Sequence, residues 1–150
     1  MWKELLKAAR FAKRAHEGQK RAHGTPYFEH PKAVAKMLWR RGFRELHLLQ
    51  AAYLHDVLED TATTPAELQT LFSEQTCSLV MELTKEKGTS YEAYLSTLTK
   101  MGLTLKLADR HHNNSELRFV SDSEKHARLS AKATAKTKAL AAELKKRNIV

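Results

Sequence analysis

The segment Leu54 to Asp60, LHDVLED, sets His55, Asp56, Glu59 and Asp60 inside an otherwise apolar run. On a helix His55 and Glu59 are four residues apart, as are Asp56 and Asp60, so each pair lies on adjacent turns of one face. Carboxylates that close repel one another, and burying them unpaired is costly unless a cation compensates. His30, in GTPYFEHP (Gly24 to Pro31), and Asp109, in LKLADRHHN (Leu105 to Asn113), supply further donors in apolar settings. His30, His55, Asp56 and Asp109 together offer two nitrogens and two hard oxygens. That mixture suits Mn²⁺, Fe²⁺ or Zn²⁺ better than Ca²⁺. Four protein ligands also leave room for water and substrate, the requirement for a catalytic ion rather than a structural one. Each residue alone has an ordinary reading: His55 as a hydrogen-bonded core histidine, His30 as a residue near a helix start, Asp109 as a partner of Lys106 or Arg110. The metal reading rests on their joint occurrence.

These side chains need rigid elements behind them, and the periodicity is helical throughout. Helices are expected at about 2–17, 31–41, 44–60, 65–72, 74–84, 90–99, 102–116 and 122–147. Trp2, Leu5, Leu6, Ala9 and Ala12 form a stripe on the first. Pro31 is expected at the first position of the second and Gly42 at its end, while Thr64-Pro65 caps and opens the fourth. The last helix, rich in Ala and Lys, presents only a thin face of Leu129, Ala133, Thr137, Leu140 and Leu144, so it is expected to fray or to dock on a partner. No β alternation, internal repeat or linker stands out. The expectation is an all-α, single-domain bundle of about eight helices spanning 1–150, with a basic C-terminal helix at 122–147.

HEGQKRAHGTPYFEHP (His16 to Pro31), AAYLHDVLEDTATTPAELQTLF (Ala51 to Phe72), LTK (Leu83 to Lys85) and LKLADRHHN occur in one order along residues 5 to 118. Together they resemble the HD-domain hydrolases of the RelA/SpoT type, specifically the stand-alone small alarmone hydrolases. GTSYEAYLSTLTK (Gly88 to Lys100) is similar to the short connection of small bacterial members. The resemblance implies an HD-type helical fold that removes the 3′-pyrophosphate of nucleotides such as ppGpp with Mn²⁺. It implies His30, His55, Asp56 and Asp109 as metal ligands, and Glu59 and Asp60 as the acidic pair that orients and deprotonates the attacking water and assists the leaving group. It also implies that Arg21 meets the nucleotide and Asn113 its sugar, with Lys20 beside Arg21 to neutralise phosphate. Ala22 and Glu116 depart from the pattern, which has Lys and often a small hydroxyl residue there. Both positions bear on the base more than on the chemistry. His111 and His112 receive no role.

Composition suits a soluble enzyme. With 150 residues and 42% hydrophobic content the chain can bury a sizeable core. It is too short for a following synthetase domain, has no stretch near 18 apolar residues, and opens on an amphipathic helix rather than a signal peptide. The single cysteine, Cys77, excludes an intramolecular disulfide and suits a reducing cytoplasm. The net charge of +9 is concentrated at the ends, with seven Lys/Arg in residues 1–21 and eight in 121–150. Such runs can bind nucleic acid, but no aromatic residues interleave the C-terminal one and no recognition motif accompanies it. A solvated helix face, or steering of a polyphosphate substrate, accounts for them more simply.

The expected function is therefore a metal-dependent nucleotide 3′-pyrophosphohydrolase acting on guanosine alarmones. The rivals are an HD phosphohydrolase acting on an adenosine alarmone, a nucleoside monophosphate or a cyclic nucleotide, and a non-catalytic nucleotide- or nucleic-acid-binding module. A module without turnover has no chemical need for Glu59 and Asp60.

Overall fold

A computed structural model of the protein describes residues 1–149. The elements in order are α1 (Trp2–Ala15), α2 (Glu29–Arg40), α3 (Leu46–Leu54), α4 (Val57–Asp60), α5 (Pro65–Leu71), α6 (Glu74–Leu83), α7 (Tyr91–Thr97), α8 (Lys100–Glu116), a 3₁₀ turn (Leu117–Phe119) and α9 (Ser123–Lys146). No strand occurs among the described residues; a lone bridge between Lys20 and Pro26 pins the α1–α2 loop.

The organising helix is α3. Leu48, Leu49, Gln50, Ala51, Ala52 and Leu54 are all buried, because α1, α2, α6 and α8 pack around it. A helix apolar on every side has to be internal. Its one buried amide is satisfied: Gln50 Nε2 donates to the Glu4 carbonyl over 3.0 Å, and Thr76 Oγ1 donates to Gln50 Oε1 over 2.8 Å. The amphipathic stripe of α1 meets this core through Leu5, Ala8 and Ala12. Trp2 and Leu6 stay exposed instead, Trp2 lying against Trp39 with ring centroids 4.9 Å apart.

Starts and stops follow local chemistry. Thr64 and Glu67 form a reciprocal capping box with Pro65 in the first turn of α5, and Ser73, Ser90, Thr99 and Asp122 cap α6, α7, α8 and α9. Gly42 closes α2 at φ +96°, a conformation that favours glycine.

Three expectations are corrected. The helix foreseen at 44–60 is two, α3 and α4, separated at His55-Asp56, where Asp56 has φ −104° and ψ −4°. The break turns both side chains inward instead of leaving them on one straight face. Pro31 is the third residue of α2 rather than the first, which is tolerated because first-turn N–H groups lack intrahelical acceptors. His30 thus sits within the helix and not before it. Finally, α9 docks on its own chain. Leu140 and Leu144 join Tyr94, Leu95, Leu98 and Leu103 in a second apolar cluster against α7 and α8. Arg147 then ties the end of α9 to the carbonyls of Leu95, Ser96 and Leu98.

Candidate metal and nucleotide site

His55 and Asp56 come from the α3–α4 break, His30 from the first turn of α2 and Asp109 from the middle of α8. The packing of α2 and α8 around α3 brings them together. His30 Nε2 lies 3.3 Å from His55 Nε2, 2.9 Å from Asp109 Oδ1 and 3.7 Å from Asp56 Oδ2. His55 Nε2 lies 3.1 Å from Asp56 Oδ2 and 3.6 Å from Asp109 Oδ1. His30, His55 and Asp56 bring their donor atoms within 4.8 Å of one another, and Asp109 reaches the two rings through its own oxygen. Donors bonded at about 2.1 Å at right angles around one ion stand roughly 3 Å apart, close to these separations.

The electrostatics also call for a cation. Burial works against protonation of His55, but Asp56 and Asp109 outweigh it and push its pKa up to about 10. Burial likewise opposes charge on Asp109, yet Lys106, His30 and His55 hold it well below the usual carboxylate range. Without an ion, the site balances its carboxylates with a proton on His55 and with Lys106, whose Nζ donates to Asp109 Oδ2 over 2.9 Å. His55 Nδ1 donates to the Ala52 carbonyl over 2.7 Å, so Nε2 is the nitrogen left to face an ion once that proton leaves. The residues fit a divalent cation. The Lys106 pairing leaves the other Asp109 oxygen on the histidines.

The acidic pair lies at the rim. Glu59 and Asp60 are more exposed than the cluster, and burial raises both of their pKa values, helped by the negative charge of Asp56. The pairing of His55 with Glu59 across one turn does not occur. Glu59 instead accepts from the backbone N–H of Lys85, which gives the Leu83–Lys85 segment its role beside the site. Asp60 is held by Tyr27, whose hydroxyl donates to Asp60 Oδ2 over 3.1 Å and to Asp56 Oδ2 over 2.8 Å. Tyr27 in turn stacks on the buried ring of His16 at 4.6 Å. Tyr27 lies within the motif His16 to Pro31 without an assigned role from sequence, and its position three residues before His30 is the signal that could have singled it out.

Arg21 and Asn113, carried over as nucleotide contacts, lie against each other. Arg21 Nη2 donates to Asn113 Oδ1, and Asn113 Nδ2 donates to Asp109 Oδ1 over 2.8 Å. Arg21 also pairs with Glu116 Oε1 through Nη2 at 2.8 Å and Nε at 3.1 Å. The Glu116 carboxylate is shared further with His112 at 3.0 Å and His23 at 3.2 Å. Burial opposes its charge, but the bonds from His112 and Arg21 bring its pKa down to about 2. His112, given no role from sequence, places Nδ1 2.8 Å from Nδ1 of His30. A closed ring results: Arg21, Asn113, Asp109, His30, His112, Glu116 and back to Arg21. His111, by contrast, is exposed, and Lys20 is exposed at the mouth.

The ring borders a cleft of about 240 Å³ between the 20–23 loop, α8 and α9. Its cations are Lys20, Arg21, Arg110, Lys132 and Lys136. No helix among the described residues is long and apolar enough to cross a membrane.

A family model described as HD domain matches residues 8–147. The chain is 46% identical over 87 residues to human guanosine-3′,5′-bis(diphosphate) 3′-pyrophosphohydrolase MESH1, a match covering 56% of this chain and 49% of that protein. It is 37% identical over 124 residues to the bifunctional (p)ppGpp synthase/hydrolase SpoT of Escherichia coli strain K12, covering 74% of this chain and 18% of that one. The matched region thus spans about half the length of the human relative (49%) and less of SpoT. A solved structure described as "A metazoan ortholog of SpoT hydrolyzes ppGpp and plays a role in starvation responses" superposes with a TM-score of 0.80 at 22% identity, covering 98% of this chain and 97% of that chain. That likeness shows a shared fold.

Proposed function

The chain belongs to the HD-domain family, and from that premise we propose that it hydrolyses the 3′-pyrophosphate of guanosine alarmones such as ppGpp, with Mn²⁺ held by His30, His55, Asp56 and Asp109. The observation that carries this reading is the convergence of two imidazoles and two carboxylates beside a second acidic pair, next to a cation-lined cleft. The names of MESH1 and SpoT supply the substrate class.

A divalent cation in that set would make a nearby water more acidic and offset charge on phosphoryl oxygens. The chain's own residues do the rest. Glu59 and Asp60, with proton affinities raised by burial, are suited to take the proton of the attacking water and to return one to the departing 3′ oxygen. Tyr27 fixes Asp60 relative to Asp56, and Lys85 N–H fixes Glu59, so both carboxylates are oriented before substrate arrives. Arg21 and Lys20 neutralise phosphate, while Asn113 offers its amide toward the sugar. The products are the 5′-nucleotide and pyrophosphate.

The test is incubation of Mn²⁺-reconstituted protein with guanosine and adenosine tetraphosphates, reading pyrophosphate release. Release from the guanosine compound supports the proposal, and release from the adenosine compound alone reassigns the base. No release from either overturns it in favour of an HD phosphohydrolase acting on another nucleotide.

A further inference from the structure

The docking of α9 brings Lys132 and Lys136, four residues apart on one face, over the same cleft that Arg110 enters from α8. Among the described residues none of these three cations has a carboxylate within ion-pair distance, although Arg21, Lys106 and Arg147 all do. The one carboxylate lining the cleft, Glu116, is already shared by Arg21, His112 and His23. Lys136 is half-buried and lies over the Tyr91 ring at 5.4 Å. Burial, then Arg110, Lys132 and Lys106, draw its pKa down to about 8, the mark of an ammonium group short of negative charge. Unpaired cations gathered in a partly desolvated cleft repel one another, and a polyanion relieves them.

Arg21 and Asn113 line the cleft and are bonded back to the metal-ligand set through Asp109, while Leu129, Lys132, Ala133 and Lys136 line it from α9. A nucleotide whose 3′-pyrophosphate lies at the acidic cluster has its other charged end left to place.

We infer that Arg110, Lys132 and Lys136 form a second phosphate subsite, which takes the 5′-polyphosphate of the nucleotide and makes the enzyme prefer longer 5′ chains. The inference rests on the hydrolase reading for its substrate, though not for the anion site itself. It gives α9 a binding role in place of a solvated or merely steering face.

The test compares guanosine 3′-pyrophosphates that carry one, two or three phosphates at the 5′ position. For the parent, kcat/KM should rise at least about tenfold from mono- to triphosphate, the scale of charge-assisted contacts. In Lys132→Ala/Lys136→Ala that ratio should fall to within about twofold. A parent with no chain-length preference, or a double variant that loses activity equally on all three, overturns the subsite. Calorimetry with inorganic tripolyphosphate and metal-free protein reads the anion site separately. Binding that the double variant lacks, in a protein that releases no pyrophosphate, sinks the hydrolase reading and leaves the subsite standing; no binding by the parent sinks the subsite.

Discussion

Asn113 faces both ways: its Nδ2 donates to Asp109 Oδ1 over 2.8 Å, and its Oδ1 accepts from Arg21. One side chain therefore links Arg21, proposed to meet phosphate, to a carboxylate of the proposed metal set. Asn113→Ala should weaken Mn²⁺ affinity in the absence of nucleotide by roughly tenfold, the scale on which outer-shell partners act, besides raising KM. Calorimetric Mn²⁺ titration checks it. Unchanged metal affinity with raised KM would confine Asn113 to the nucleotide.

Tyr27→Phe removes the hydroxyl shared by Asp56 and Asp60 while preserving the stack on His16. Because the lost bonds orient groups rather than fill space, thermal stability should change little while kcat falls by about tenfold or more. Steady-state kinetics beside a melting curve decides it; a large Tm loss with intact kcat would make Tyr27 structural.

Much of this site was legible from sequence. His30, His55, Asp56 and Asp109 converge as their residue types and apolar settings suggested, because α3 is apolar enough to be wrapped by the helices that carry the others. What periodicity hides is the break at His55-Asp56, where a functional turn interrupts an otherwise continuous apolar pattern. The Glu116 and His112 contacts were hidden for a different reason. They depend on how α8 meets the 20–23 loop and α2, a tertiary relation with no local spacing rule. The docking of α9 was missed because Ala and Lys dominate its sequence, yet Leu140 and Leu144 suffice to seat it on α7 and α8.

Leu140 is 2% exposed within the second apolar cluster. Leu140→Ala should cost about 2–5 kcal/mol, the usual sum of lost transfer energy and cavity. Urea unfolding measures it, and a loss below about 0.5 kcal/mol would mean that α9 is not held there in solution.

In metal-free protein His55 keeps its proton up to a pKa of about 10, above its unfolded value. The sign follows from linkage: between the unfolded pKa and about 10 the folded state binds the extra proton, so this contribution to stability is full below that window and is lost as pH rises through it. An ion must displace the same proton. Mn²⁺ affinity should therefore rise about tenfold per pH unit from roughly pH 7 to 8, with one proton released. Titrations in two buffers of different ionisation heat count that proton, and a pH-independent affinity would contradict the assignment of His55.

Glu59→Gln and Asp60→Asn separate chemistry from binding. In each variant the replacement amide still presents an oxygen, so Glu59→Gln can keep accepting from Lys85 N–H and Asp60→Asn from the Tyr27 hydroxyl. Shape and the main contacts survive while the titratable proton is lost. Neither carboxylate belongs to the four-donor set, so Mn²⁺ and nucleotide affinities should stay within a few-fold of the parent. Turnover should fall by roughly 10² to 10⁴, the contribution of a positioned general acid or base. The pH profile adds a second reading. Burial raises the proton affinity of Glu59, so an acid limb of kcat that it sets should lie above the ordinary Glu range and should disappear in Glu59→Gln. Parent-like turnover in both variants would remove them from the chemistry, and loss of Mn²⁺ binding in either would move that residue into the ligand set.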